Sequence, residues 1–305
     1  MSGFISEFFG YNASDHSNAA FEAAMRKNCP FIGAPCTKTL SRDKSISGVC
    51  AVRQVSEGSK NVICCPNRLY ADNYKLLSTI AKMAFKKEAR LYAGRRAVIR
   101  ARQEGGAVAV FGKGWGGELR LPQRQGVGSY FVDWILALLN SSGELEEITA
   151  IEVQTIDTTG SYQYARSELL MNRAIVKDTL GLNWENVSKR IIPQIIYKGQ
   201  VLQREELCKS GLYFVAPAPV FERVLNRLGG KWKLPTFPSQ AASIHFISYD
   251  AIALPTDGVI TPLGLIEEYA TTVYKVQEAF SSLDLPEGNV YRDAILRSLY
   301  PERFQ

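Results

Sequence analysis

The sequence predicts a mixed α/β fold, with a mixed β-sheet flanked by helices in residues 81–305 and a small cysteine-bearing module in residues 1–80. Two observations lead to this prediction. Apolar segments with strand-like and helix-like periodicity alternate along the chain, and five of the six cysteines fall within residues 29–65. With 305 residues, 46% of them hydrophobic, the chain is long enough to bury a sizeable core. We refer to residues 1–80 as the cysteine module.

Periodicity and turn residues place the individual elements. Asn140-Ser141-Ser142-Gly143 is a turn signal between two apolar segments, which are therefore expected to pair as an antiparallel hairpin. Residues 112–128 contain six glycines and are expected to form a loop. Helices are predicted over 17–27, 72–85, 162–178, 184–192, 218–228, 262–282 and 290–300, and strands over 61–65, 107–112, 130–139, 147–157, 211–216 and 243–252.

Positive charge is concentrated in one segment. Between Lys82 and Arg102, eight basic residues stand against the single acid Glu88, a local sum of +7, so that the rest of the chain sums to −1 of the total +6. This segment is expected to continue the preceding helix. Such clustering is typical of proteins that bind a polyanion, although a solvated basic face is the alternative interpretation.

Several classes of protein are disfavoured. Residues 1–17 carry acids where a secretory leader has basic and then apolar residues, and no segment has the roughly 20 apolar residues of a membrane span. A soluble, intracellular protein is expected. The chain has only two histidines, His16 and His245, which argues against a histidine-based nuclease site.

The clustered cysteines favour a metal site, since disulfides are rare inside cells. Four thiolates suit zinc or iron. The expected ligands are Cys29, Cys36, Cys50 and Cys65, with Cys64 the alternative to Cys65 because adjacent strand residues point in opposite directions. Buried free thiols are the competing interpretation, and Cys208 is expected to be merely packed.

Acids interrupt the two most apolar strands. Asp133 lies within FVDWILAL, and Glu152 and Gln154 lie within AIEVQTID, where they share one strand face. Burying unpaired carboxylates is costly, and no cationic residue in either segment neutralises them. A Mg²⁺ ion between the acids would resolve this cost. A salt bridge to a distant arginine, or an edge strand that exposes Asp133, are the alternatives.

Asp133 followed by Glu152-Val153-Gln154 is a variant of the PD-(D/E)xK nuclease motif. In that motif two acids and the intervening backbone carbonyl, here of Val153, hold Mg²⁺, and a lysine assists the attacking water. Gln154 stands at the lysine position, and an amide orients water but supplies no charge. Glu118 or a second metal ion is expected to compensate.

These residues resemble a known family. The segments CPFIGAPCTK, GVCAV, ICCPNRLY, FVDW and AIEVQTIDTTG, within residues 29–160, resemble the NotI-type restriction endonucleases, the group that includes EagI. The resemblance implies a bacterial, cytoplasmic type II restriction endonuclease. It further implies a homodimer with a PD-(D/E)xK core and a four-cysteine iron site, which cuts double-stranded DNA at GC-rich palindromes centred on GGCC, such as CGGCCG.

The resemblance also assigns roles to residues. It implies that Asp133 and Glu152 are metal ligands, that Gln154 replaces the lysine, and that Glu118 in GWGGELRL is an additional acid. Contacts to guanine require basic donors. Candidates for DNA contact are Lys113, Arg120, Gln123, Arg124, Arg166, Lys189 and Arg190, with Arg95 and Arg96 on the phosphates.

Two other functions compete with this one. A non-catalytic DNA-binding protein stabilised by the cysteine module would share the charge and cysteine patterns. A structure-specific repair nuclease would share the acids but give no fixed fragments. The sequence leaves open the role of residues 200–305, the exact recognition site, and the choice between iron and zinc.

Overall fold

The chain folds around two larger β-sheets, with two further pairs of short strands, in a computed structural model that describes residues 2–40, 43–55, 59–119, 131–282 and 288–303. The strands are β1 (Gly3–Phe8), β2 (Tyr11–Asn12), β3 (Asn28–Cys29), β4 (Ala34–Pro35), β5 (Val49–Gln54), β6 (Asn61–Ile63), β7 (Leu91–Ala93), β8 (Ala107–Gly112), β9 (Trp134–Leu139), β10 (Leu145–Val153), β11 (Thr158–Thr159), β12 (Gly181–Leu182), β13 (Cys208–Pro217), β14 (Ser243–Ala251) and β15 (Leu263–Thr272).

The α-helices connect and cover these strands. They are α1 (Asn18–Arg26), α2 (Ala71–Phe85), α3 (Arg96–Glu104), α4 (Gln163–Asn172), α5 (Ile192–Leu202), α6 (Ala218–Arg227), α7 (Val273–Ser281) and α8 (Val290–Leu299). Short 3₁₀ segments lie at Pro66–Tyr70, Lys231–Lys233 and Pro301–Arg303, and a π-helical turn at Val187–Ile191 leads into α5.

The larger sheet has seven strands in the order β15-β14-β13-β10-β9-β8-β7. β10, β13 and β14 run parallel, as do β7 and β8, and the other pairs are antiparallel. β9 and β10 form the predicted hairpin, with Ile151 opposite Trp134. The backbone N–H groups of Ser142 and Glu144 donate to the Asn140 side chain at 2.9 and 3.0 Å, which fixes the turn between the two strands. The prediction of a large mixed sheet flanked by helices is confirmed.

Helices cover both faces of the seven-stranded sheet. Helices α5, α6 and α7 share a core with Ala150, Phe214 and Phe246 on one face, whereas α2 packs with Ile151 and Tyr213 on the other. Alanines of α3 pack on β8 and β9. Strands buried on both faces read as continuous apolar runs, as β9 and residues 212–217 of β13 do.

The smaller sheet, in the order β2-β1-β5-β6, belongs to the cysteine module. Its core is continuous with that of the larger sheet, because Ile5 and Val52 belong to the same buried cluster as Ala150. Arg68 further joins the module to the segment before β15, since it pairs with Glu7 and donates to the Thr261 carbonyl. The module and the larger sheet are therefore packed together.

Two element predictions are wrong. The helix predicted over 262–282 is β15 followed by α7, because Leu263–Thr272 pairs along its length with β14 and this tertiary pairing overrides the helical periodicity. The basic segment is not one helix either. Lys86 adopts a left-handed conformation that ends α2, and β7 and α3 follow it.

Predicted helices near 17–27, 162–178, 218–228 and 290–300 are confirmed in shorter form, and the helix predicted over 72–85 is confirmed as α2. The segment predicted as a helix over 184–192 is the π-helical turn, and α5 follows it. Among the described residues, no helix is both long and apolar enough to cross a membrane.

Candidate active site

The two predicted carboxylates meet at one end of the β9–β10 hairpin. Glu152 is the penultimate residue of β10, and Asp133 directly precedes β9. The hairpin register sets Asp133 beside the end of β10, where its Oδ2 accepts a hydrogen bond from the Val153 N–H at 2.8 Å. β9 lies between β8 and β10, so the alternative of an edge strand at Asp133 is wrong. Strand pairing therefore brings together two acids that are distant in sequence.

Burial and repulsion perturb the Asp133 carboxyl group. Removal from water is the main cause that raises the pKa of Asp133 to about 7, and the neighbouring Glu152 carboxylate raises it further. The Val153 N–H and the Lys198 ammonium lower the pKa, because both favour the charged form. Carboxyl groups perturbed in this way, and lying in a cleft, are typical of functional sites.

Glu152 is only 3% exposed, and both of its oxygens have neighbours. Gln154 Nε2 donates to Oε1 at 2.9 Å, and Lys198 Nζ lies 2.5 Å from Oε2. Glu152 and Gln154 share a strand face as predicted, because Ile151 and Val153 lie in the apolar cluster on the opposite side. Of the alternatives that the sequence left open, a salt bridge to a distant cation is present, with a lysine in place of an arginine.

A cleft of about 720 Å³ opens beside these acids. Its lining includes Asp133, Val153 and Gln154 from the hairpin and Glu118 from the glycine-rich loop. The cysteine module forms the facing wall. Cations also reach the cleft, so Asp133 and Glu118 line a mixed, water-accessible site, whereas Glu152 is buried behind it. The module residues at the wall are Ile32, Thr37, Lys38, Thr39, Cys64, Cys65, Pro66, Asn67, Tyr70 and Tyr74, and the other cations are Lys113 and Arg190.

A close backbone contact between Gly116 and Val110 positions the glycine-rich loop that carries Lys113 and Glu118. Gly116 has φ +84°, and a Cβ on it would lie 1.9 Å from the Val110 carbonyl oxygen. Gly94 directly precedes the exposed Arg95 and Arg96. A Cβ on Gly94 would lie 3.2 Å from the Gly116 carbonyl oxygen. Because only glycine permits this approach, the turn before α3 and the loop of Glu118 lie against each other.

The other predicted DNA contacts lie in different surroundings. Arg166 Nε donates to the Ser47 carbonyl at 3.0 Å and so ties α4 to the cysteine module. Lys189 pairs with Glu185 at 2.5 Å on an exposed surface. Arg120, Gln123 and Arg124 lie outside the described residues.

Magnesium fits the carboxylate pair by the chemistry of the donors. Glu152 Oε2 is buried without a hydrogen-bond donor of good alignment, although the Lys198 ammonium is close, so an acceptor lone pair remains open. Asp133 is close enough to interact electrostatically with both Glu152 and Glu118, and the Asp133 and Glu118 side chains line the cleft. Hard oxygen ligands of this kind are those that Mg²⁺ prefers. In the described part of the chain, no three Cys, His, Asp or Glu side chains come together as a group able to hold a metal ion.

The described residues of the cysteine module likewise contain no group of three side chains able to hold a metal ion. All six cysteines are buried and free. Burial raises the pKa of Cys29 and Cys50, and raises that of Cys65 to about 12. Backbone N–H groups nevertheless donate to these three sulfur atoms: those of Phe31 and Ile32 to Cys29, Gly10 to Cys50, and Asn67 to Cys65. Cys64 Sγ instead lies 3.2 Å from the Lys38 ammonium.

The comparison with known families decides the identity. The family model described as restriction endonuclease NotI matches residues 16–226, which is more than half of the chain and includes Asp133, Glu152, Gln154 and all six cysteines. The chain belongs to the NotI restriction endonuclease family. Membership implies a site-specific deoxyribonuclease that cuts double-stranded DNA. No curated protein matches this NotI-family chain.

Sequence reasoning missed Lys198 of this NotI-family protein. A signal was present, because Lys198 is the single charged residue in IIYKGQVL, which has the periodicity of a buried helix face. Ile195, Gly199 and Leu202 of α5 are buried around it. A lysine at such a position is rarely buried unless it is paired.

Proposed function

We propose that the protein is a type II restriction endonuclease that hydrolyses double-stranded DNA with Mg²⁺ at a GC-rich palindrome centred on GGCC, such as CGGCCG. The observation that carries the proposal is the meeting of Asp133 and Glu152 at one strand end, beside a cleft that Asp133 and several cationic side chains line. A polyanionic substrate has to approach acids in order to be cut, and flanking cations offset that repulsion.

The β9–β10 hairpin is proposed to be the centre of a PD-(D/E)xK core. Asp133, Glu152 and the Val153 carbonyl would hold the metal ion, and Glu118 would join them from its loop. When bound, Mg²⁺ polarises water and stabilises negative charge on the phosphate oxygens. The Val153 N–H holds Asp133 in place, and Gln154 bonds to Glu152 at 2.9 Å, beside the space for an attacking water. Gln154 orients that water by hydrogen bonding and takes no proton.

DNA binding is proposed to use two sets of groups. Lys113 and Arg190 line the cleft, and Arg95 and Arg96 are exposed beside the glycine-rich loop. Their charges suit phosphate contacts, which position the protein on DNA. Arg120, Gln123 and Arg124 adjoin the same loop in sequence and are proposed, with Lys189, as groups that reach the bases.

Residues 1–80 are proposed to be a metal-stabilised module, in which Cys29, Cys36, Cys50 and Cys65 hold iron or zinc. Support comes from the N–H groups that donate to three of these sulfur atoms, because such donors stabilise thiolates. Cys65 is preferred over Cys64, whose sulfur is already in contact with Lys38. Loss of the metal would weaken one wall of the cleft.

A homodimer is the proposed working form, with residues 81–305 supplying the nuclease core and the dimer contacts. Two-fold symmetric proteins read palindromic DNA because each subunit meets the same half-site. Each subunit would then cut one strand.

Plasmid digestion tests this proposal. Incubation with Mg²⁺ should give discrete fragments, whereas Ca²⁺ or EDTA should give none, and Asp133→Asn should retain DNA binding while losing cleavage. Sequencing of fragment ends would give the recognition site. Retarded DNA without fragments in Mg²⁺ would instead favour a non-catalytic binding protein, and fragments without fixed ends would favour a structure-specific nuclease.

A further inference from the structure

A buried ammonium group stands behind the proposed metal site. Lys198 and Glu152 expose only 7% and 4% of their side chains, and their charged atoms are 2.5 Å apart. Lys198 is absent from the lining of the cleft, so its ammonium faces the carboxylate and not open water. The pair therefore lies between helix α5 and the end of β10.

Packing alone does not account for a lysine at this position. Ile195, Gly199 and Leu202 share its buried helix face, and α5 fits closely against α7, where a Cβ on Gly199 would meet Val273 at 3.1 Å. Burying an ion pair costs several kcal/mol per ion in desolvation, and apolar residues often replace such pairs without loss of stability. A lysine retained on this face therefore points to a role in the site that it touches.

The formal charges of the site give that role a physical basis. Asp133, Glu152 and Glu118 sum to −3, and one divalent ion leaves −1, which repels a phosphate. Adding Lys198 brings the sum to zero. Gln154 lies at the position from which the nuclease motif normally supplies this charge, and its amide supplies none. The positive charge that residue 154 does not supply is thus provided next to Glu152 by the Lys198 ammonium group of helix α5.

We propose that Lys198 replaces the lysine of the strand motif from helix α5, where it orients Glu152 and supplies positive charge beneath the reacting phosphate. The inference rests on the proposed function. Gln154 on Oε1 and Lys198 on Oε2 contact both oxygens of the Glu152 carboxylate and so hold its plane beside Asp133. Lys198 acts through Glu152 and is therefore a positioning residue.

Moving the charge tests this proposal. Lys198→Met keeps the length and apolar stem of the side chain, and should lower both single-turnover cleavage and Ca²⁺ affinity by about 10–100-fold. Cognate DNA affinity at saturating Ca²⁺ should stay within about threefold of wild type, because phosphate and base contacts dominate it. Calorimetric Ca²⁺ titration gives a measurement that is independent of cleavage.

The double variant Lys198→Met/Gln154→Lys returns an ammonium to Glu152 from the strand. It should recover Ca²⁺ affinity and much of the cleavage rate. A lysine that only packs α5 would not be replaced by one at residue 154, so an unrecovered double variant would overturn the proposal. Circular dichroism of each variant checks folding, and Lys198→Arg retains the charge should Lys198→Met unfold.

Asp133→Asn separates this inference from the proposed function. If Asp133→Asn abolishes cleavage while Lys198→Met cuts at the wild-type rate, the role of Lys198 is wrong and the nuclease site stands. If Asp133→Asn cuts normally, the proposed site itself is wrong.

Discussion

The cysteine module and the carboxylate site each bury an ion pair, and the two pairs differ in how they are completed. Arg68 Nε contacts both Glu7 oxygens at 2.8 and 2.9 Å, its guanidinium lies over Phe31, and it also reaches the Thr261 carbonyl. Lys198 makes one contact with Glu152, which is buried behind the cleft that Asp133 lines. The Arg68–Glu7 pair links separate parts of the chain. The Lys198–Glu152 pair instead leaves Glu152 Oε2 without a well-aligned donor among the described residues, near the carboxyl group of Asp133. The difference thus lies on the carboxylate side, because both Glu7 oxygens accept from Arg68 whereas Glu152 Oε2 has no well-aligned donor, although Arg68 Nη1 is also buried without a partner in the described part of the chain.

The largest effect is expected from loss of a cysteine ligand. Cys36→Ser should remove the iron or zinc that is proposed for the cysteine module, lower stability and yield, and abolish cleavage through unfolding, because structural metal sites supply folding free energy. Elemental analysis and thermal denaturation measure the two effects. Cys208→Ser is the matched control, since Cys208 is buried on β13 outside the module and should leave metal content unchanged. A folded, metal-free and fully active Cys36→Ser protein would contradict the structural role of the module.

Breaking the Arg68–Glu7 ion pair comes next. Arg68→Met should lower the free energy of unfolding by about 3–5 kcal/mol, because Glu7 is left charged and buried. Denaturant titration measures this, and Arg68→Met/Glu7→Leu should recover most of the loss. Lys60→Ala breaks the exposed Lys60–Glu222 pair and should cost less than about 1 kcal/mol. Equal losses in Arg68→Met and Lys60→Ala would remove the distinction between the two kinds of pair.

The pH dependence of the stability of the metal-free protein tests whether the carboxylate site, unlike the cysteine module, holds an acid placed for chemistry. The pKa of Asp133 is about 7 in the folded state and roughly 4 in an unfolded chain, so the folded state holds the proton more tightly. Its contribution to stability is fully present below pH about 4 and is lost as pH rises toward about 7. In EDTA, Asp133→Asn should therefore gain stability relative to wild type as pH rises across that interval, by about 4 kcal/mol in total. A difference that does not change with pH would show that Asp133 is ordinary in acidity.

The smallest effect is expected at the rim of the cleft. Arg190→Ala should weaken DNA binding uniformly across sequences and reduce the slope of log affinity against log salt by about 1. Fluorescence anisotropy over a salt series measures both. Arg26→Ala is the control, because Arg26 is exposed on α1 and paired with Glu22. An unchanged slope in Arg190→Ala would exclude this arginine from phosphate contact.

Local patterns were sufficient for the parts of the site that depend on strand geometry. The turn at 140–143 predicted the hairpin, and the hairpin brought Asp133 to Glu152. Lys198 could not be assigned in the same way, because its contact depends on how α5 packs across β10. Pattern also failed over 262–272, where pairing with β14 decides the structure. Sequence thus identifies contacts within one supersecondary unit, while contacts between units require the fold.

At Gly116, the neighbouring backbone of Val110 restricts which residue the glycine-rich loop can contain. A Cβ there would collide with the Val110 carbonyl at 1.9 Å, whereas Gly114 and Gly117 have open space around them and require only a positive φ. Asparagine tolerates such angles better than other residues. Over evolutionary time, position 116 should therefore remain glycine in functional descendants of this chain, while positions 114 and 117 are free to drift to asparagine. The position of the loop that carries Glu118 would thus be preserved by the absence of a side chain at residue 116.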